Sequence, residues 1–179
     1  MPTSLATSAR LAGAHRWAEA RLFEIVGGWV PSTSEPQVKL LFDRHSQHHA
    51  WRASQWFDRL PVLADLDREA LSAPVAGAAD AFDLLASLAT PVARMAGVYR
   101  VALPRMWAAY ERHRAQADPV ADAATLRTLA LVARDLAADW HEGEAALQAL
   151  VGEPVVAREA AEAALAVEEL LAAGGGAEL

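Results

Sequence analysis

Apolar residues recur every three to four positions along almost the whole chain, and no stretch alternates apolar and polar with a period of two, so the pattern predicts helices separated by Pro, Gly and Ser. The first runs from about Thr3 to Gly27, where Gly27-Gly28 is expected to stop it. Its stripe carries Leu11, His15, Ala18, Leu22, Ile25 and Trp29, with Glu19 at the edge. The second starts with Ser34 as cap and Pro36 in the first turn, and runs to Leu60 before Pro61. Its stripe is Val38, Leu41, Phe42, Ala53, Trp56 and Leu60. His45 and His49 fall within this stripe one turn apart, His48 lies on its flank, and Trp51 and Asp58 face the other way.

After a connection from Pro61 to about Pro74, a short helical stretch passes through Phe82 to Ala89. Thr90-Pro91 then reads as a cap with proline at the first helical position. The third long helix continues to about Gln116 with Val92, Met95, Tyr99, Leu103, Met106 and Tyr110 on its apolar face, and Pro104 inside it predicts a kink. Asp118-Pro119 signals the fourth, which carries Leu129, Val132, Leu136, Trp140, Leu147 and Leu150 and ends at Gly152 and Pro154. A last amphipathic helix from Pro154 to Ala172 has small apolar residues suited to close docking. Residues 1–173 therefore read as one helical domain and 174–179, which include Gly174-Gly175-Gly176, as a flexible tail.

Composition narrows the chemistry. The 179 residues can bury a sizeable core, and 54% hydrophobic content suits a soluble globular chain. Cysteine is absent, which leaves imidazole, carboxylate, phenolate and backbone as the available metal ligands. The net charge of −7 argues against nucleic acid as a partner, and the basic group at Arg105, Arg112, His113 and Arg114 reads as a solvated helix face. No apolar stretch is long enough to cross a bilayer and the start lacks a leader pattern, so a cytoplasmic protein with no membrane partner is expected. No Gly-x-Ser-x-Gly elbow or phosphate loop occurs.

The histidine cluster Phe42-Asp43-Arg44-His45-Ser46-Gln47-His48-His49-Ala50-Trp51, set among four long helices with polar residues at mid-length, resembles the ferritin-like superfamily. The resemblance spans roughly Leu11 to Leu150. It implies an all-α, antiparallel four-helix bundle with an additional C-terminal helix, and a di-iron centre built from a Glu on each of two helices and a Glu-x-x-His pair on each of the others. Glu19 matches a single carboxylate position. The second helix departs, because Phe42, His45 and Ser46 stand three residues before His45, His48 and His49. The third offers Tyr99, Met106 and Tyr110 where a carboxylate belongs. The fourth crowds Asp139, His141, Glu142 and Glu144 without the Glu-x-x-His order.

Three readings compete for these residues. In the first, His15, Glu19, His45 and His49 form a metal site suited to zinc, iron or manganese, with Tyr99 or Asp139 as a further ligand, and iron or manganese there would serve an oxidase or oxygenase. Alternatively, His45 and His49 are neutral imidazoles bonded to Glu19, Tyr99 or backbone in a polar seam that fixes helix register, with no cofactor. In a third reading Trp17, Trp29, Trp56 and Trp107 wall a small-molecule pocket near Pro104. The sequence favours a binding or structural bundle with a buried seam, and a homodimer is expected from its aromatic surface and thin last helix.

Overall fold

A computed structural model describes residues 5–62 and 67–174, and among them every regular element is helical. The elements are α1 (Leu5–Trp29), α2 (Pro36–Phe57), α3 (Ala78–Ser87), α4 (Pro91–Ala96), α5 (Leu103–Gln116), α6 (Ala123–Leu150) and α7 (Pro154–Ala173), with short 3₁₀ turns at Val30–Ser32 and Glu69–Leu71. A π-helical segment, Gly97–Ala102, joins α4 to α5 into one continuous helical rod over residues 91–116.

α1 and α2 pack along their length as an antiparallel hairpin, which sets Gly27 beside Ser46, Glu19 beside His49 and His15 beside Trp56. α6 lies against α2 and α5, and α7 covers α3, α4 and the π segment through Ala160, Ala163, Val167 and Leu171. The inward stripes supply the core: Leu22, Phe42, Leu103, Met106, Val132 and Leu136 are each at most 1% exposed. Burying such side chains contributes about 1.5–3 kcal/mol each, which is what holds these helices together. No helix among the described residues is long and apolar enough to cross a membrane.

Several boundaries differ from expectation for local reasons. Gly27-Gly28 does not stop α1, which continues to Trp29, because packing against α2 outweighs about 1 kcal/mol of helix penalty per glycine. Ser34 does not cap α2: Glu35 takes that position, Pro36 opens the helix, and the Ser34 hydroxyl donates to the Glu35 carboxylate. α2 ends at Phe57, and Leu60 is buried from the turn that follows. Thr90 does cap α4, its Oγ1 accepting from the Ala93 N–H at 3.2 Å. Asp118 caps a turn instead of a helix, accepting from the Val120 and Ala121 N–H groups at 2.8 Å, and α6 begins at Ala123.

Pro104 follows a wider turn. It sits in the first turn of α5, directly after the π segment in which the Leu103 N–H reaches back five residues to the Val98 carbonyl, so the missing proline donor falls where the ladder already changes register. The expected start at Thr3, part of the connection (63–66) and the tail residues 175–179 lie outside the described residues. Gly174, expected in the tail, is packed: its N–H bonds the Leu170 carbonyl at 3.2 Å, and a Cβ there would come within 2.6 Å of the Gly77 Cα. Gly77 itself has φ 78°, a conformation that favours glycine.

Candidate metal centre

The antiparallel hairpin turns the expected cluster into two connected groups. His49 Nδ1 lies 2.6 Å from Glu19 Oε2, and both side chains are fully buried. Glu19 Oε1 accepts from Arg52 Nε at 2.9 Å and from the Tyr110 hydroxyl at 2.5 Å. Arg52, also fully buried, reaches across to α6 and donates through Nη1 to Asp135 Oδ2 at 2.5 Å and Asp139 Oδ2 at 2.8 Å. A buried charge of this kind persists only when paired, and three carboxylates surround this guanidinium.

The second group sits beside the first, sharing Asp139. Asp139 Oδ1 is 2.7 Å from His48 Nδ1 and 3.4 Å from His45 Nε2, while Glu142 Oε2 is 3.3 Å from the same His45 nitrogen. His45, His48 and Asp139 each offer one ligand atom within 4.8 Å of the others. The other ring nitrogen of His45, Nδ1, lies 2.9 Å from the Tyr99 hydroxyl. Tyr99 comes from the π segment, and its ring lies against the backbone of Gly143 on α6, where a Cβ would be 2.2 Å from Tyr99 Cδ1. Helix-interior glycine costs about 1 kcal/mol relative to alanine, and here it makes room for that ring.

Burial and charge set the protonation states. Burial pushes the Glu19 carboxyl up, but the Arg52 guanidinium, His49 and the hydrogen bonds from His49 and Tyr110 outweigh it and hold Glu19 below the ordinary value. The same contest, burial against Arg52 and then His45, leaves Asp139 lowered. Burial lowers His45 despite Asp139 and Glu142, and burial with the nearby Arg52 charge lowers His49, so both are neutral imidazoles near pH 7. Burial, reinforced by Asp139, raises Tyr99, and burial with Glu19 raises Tyr110; both phenols keep their protons.

Of the four residues expected to meet, the structure joins Glu19 to His49 directly. His45 belongs to the neighbouring group with Tyr99, Asp139 and Glu142. His15 turns to α5: its Nε2 lies 3.1 Å from His113 Nδ1, and its ring packs against Trp56 and Tyr110. The antiparallel pairing sets His15, beside Trp56, and His45, toward the Gly27–Ser46 end, on opposite sides of the Glu19–His49 pair, so the four side chains are not gathered into one group. Asp139, weighed as an additional ligand, lies at the centre. The sequence put His48 on the flank of the stripe and Glu142 in a broken Glu-x-x-His pattern and did not single out Arg52 or Gly143, and the solvated face expected at His113 is corrected here, since that side chain is 2% exposed. Two signals pointed to His48, Glu142 and Arg52: His45 and His48 on α2 and Asp139 and Glu142 on α6 are each three apart, and Arg52 is three residues after His49 on the inward stripe.

Among the described residues the tryptophans make four separate contacts, Trp17 on Phe82, Trp29 on Phe42, Trp56 on Tyr110 and Trp107 near Trp140. Two open grooves lie on the α1–α2 hairpin, both lined by Phe23. Comparisons with protein-family models, with curated proteins and with solved structures found no match to this chain.

Proposed function

We propose that the protein is a metal-binding bundle of the ferritin-like kind, with α7 as the additional helix, and that it takes a single divalent transition-metal ion between α2 and α6 on His45 Nε2, His48 Nδ1 and Asp139 Oδ1. The observation that carries this reading is the spacing of those atoms and of Glu142 Oε2, which are 2.7, 3.3 and 3.4 Å apart in the pairs given above. Donors held at about 2.0–2.2 Å from one ion stand about 3.0–3.5 Å apart, so small side-chain movements suffice. The Tyr99 hydroxyl can accept from Nδ1–H of His45, which leaves the lone pair on Nε2 toward the acids.

Charge supports the same reading. Around Arg52, three carboxylates (Glu19, Asp135 and Asp139) face one guanidinium, an excess of two negative charges that a dication at Asp139 offsets. Two neutral imidazoles and a carboxylate suit iron(II), manganese(II) or zinc. His48 is 38% and Glu142 51% exposed, so the ion would keep positions open to solvent on that flank. That opening supports an oxidase or oxygenase role as the second reading, since a coordinating small molecule needs a free position. The Glu19–His49–Arg52–Tyr110 group acts as the polar seam that fixes helix register.

Metal titration of chelator-treated protein tests this. One equivalent of cobalt(II), manganese(II) or zinc(II) is expected, and His48→Ala, at a half-exposed position, should weaken it at least tenfold while leaving the helical content unchanged. Wild-type protein that takes up no metal below about millimolar concentration would remove the proposal.

A further inference from the structure

The surroundings of Arg52 are those of a cation site. Its guanidinium meets Glu19 Oε1 at 2.9 Å, Asp135 Oδ2 at 2.5 Å, Asp139 Oδ2 at 2.8 Å and His49 Nδ1 at 2.9 Å. Three carboxylate oxygens and an imidazole nitrogen are a hard donor set of the type that holds divalent metals. Asp139 is shared between this place and the His45–His48 group, turning Oδ2 to Arg52 and Oδ1 to His48. It is thus arranged as a bridging carboxylate, one oxygen for each of two positive centres.

His49 adds an independent observation. Its Nδ1 faces both the acceptor Glu19 Oε2 at 2.6 Å and the donor Arg52 Nη2 at 2.9 Å, and one nitrogen satisfies only one of them. Its Nε2 is buried without a hydrogen-bond partner among the described residues. With its proton on Nδ1 for Glu19 the imidazole cannot accept from Arg52, and with the proton on Nε2 it loses Glu19 and leaves a buried N–H unmatched, so the guanidinium satisfies this ring incompletely.

We infer that Asp139 bridges two cation positions in the core and that the second is filled by the chain's own Arg52 guanidinium, which restricts the bundle to one metal ion where its donors would otherwise hold two. The first position rests on the metal reading above; the second stands on the Arg52 contacts alone. Arg52 is therefore a positioning and stoichiometry-setting residue for the site.

The test is manganese(II) titration of wild type, Arg52→Ala and Arg52→Lys, read by equilibrium dialysis and electron paramagnetic resonance. One equivalent with an isolated-ion spectrum is expected for wild type and Arg52→Lys, and two equivalents with a spin-coupled spectrum for Arg52→Ala. One equivalent in both wild type and Arg52→Ala would overturn the inference and leave the metal reading intact. None in wild type with one in Arg52→Ala would support the second position and remove the metal reading. None in either would overturn both. Should Arg52→Ala unfold without metal, recovery of its circular dichroism on adding manganese(II) supports the inference, and failure to recover overturns it.

Discussion

Replacing Glu19 with glutamine isolates what burial does to a charge. Glu19 and Arg21 lie two residues apart on α1, and each is paired with opposite charges. Glu19 bonds Arg52 at 2.9 Å with His49 and Tyr110 beside it, and all of these side chains are essentially excluded from solvent. Arg21 bonds Glu24 at 2.9 Å and Asp83 at 2.8 Å, but is 32% exposed against partners at 61% and 70%. Breaking a buried pair costs about 3–5 kcal/mol, whereas an exposed pair is worth about 0–1 kcal/mol. Arg52 keeps Asp135 and Asp139 in the variant, which places Glu19→Gln near the lower end, about 3 kcal/mol. For a chain of this size that lowers Tm by about 6–12 °C. Urea unfolding followed by circular dichroism at pH 7 measures it, with Arg21→Ala as the control at no more than about 1 kcal/mol. If Glu19→Gln costs no more than Arg21→Ala at unchanged m, the seam does not stabilise the fold and the argument from burial is wrong.

Acid should destabilise the protein in two stages. Burial lowers His45, His49 and His113 in the folded state, so the unfolded chain takes up protons first as pH falls below about 6.5 and stability declines from there. Glu19 and Asp139 are also lowered when folded, so their contribution is complete above about 4.5 and is lost below it; urea midpoints at half-unit pH steps that stay flat from 7 to 5 would contradict the neutral imidazoles. Gly143→Ala sets a methyl 2.2 Å from Tyr99 Cδ1, which must retreat by about 1.2 Å to reach ordinary contact; metal affinity should fall about 10–100-fold, as for Tyr99→Phe, and a double variant no worse than either single would trace both to His45. Thr90→Ala removes a cap bond and should cost about 1 kcal/mol in urea unfolding without altering metal uptake.

Much of the helix plan could be read from apolar spacing, because long amphipathic stripes such as Leu22, Ile25 and Trp29 or Met95, Tyr99 and Met106 are set by local periodicity. The Thr90 cap was legible for the same reason: its hydroxyl acts within three residues. The pairings His49–Glu19 and His45–Tyr99 were also among those expected. The remaining contacts depended on which helix lies opposite which, and that is a tertiary property. Arg52 stands on the inward stripe four residues before Trp56, yet an arginine reads as a surface residue until Asp135 and Asp139 of α6 are brought to it. Nothing local marks Gly143, because the ring it accommodates comes from a different rod. His15 shares a face with Glu19 one turn earlier, and the antiparallel hairpin sets that turn beside Trp56, where His113 of α5 meets it.

The acids that balance Arg52 come from both sides of it, Glu19 from α1 and Asp135 and Asp139 from α6. A partly assembled chain in which α1 and α2 had met without α6 would leave the Nη1 donor of Arg52 without its two acceptors, and undocking α1 would part Glu19 from Arg52, His49 and Tyr110. Neither half-built form satisfies these polar groups short of re-admitting water. Loss of any one of these three helices should therefore bring down the other two, and amide protons in the middle of α1, α2 and α6 should exchange at one common rate set by whole-molecule opening.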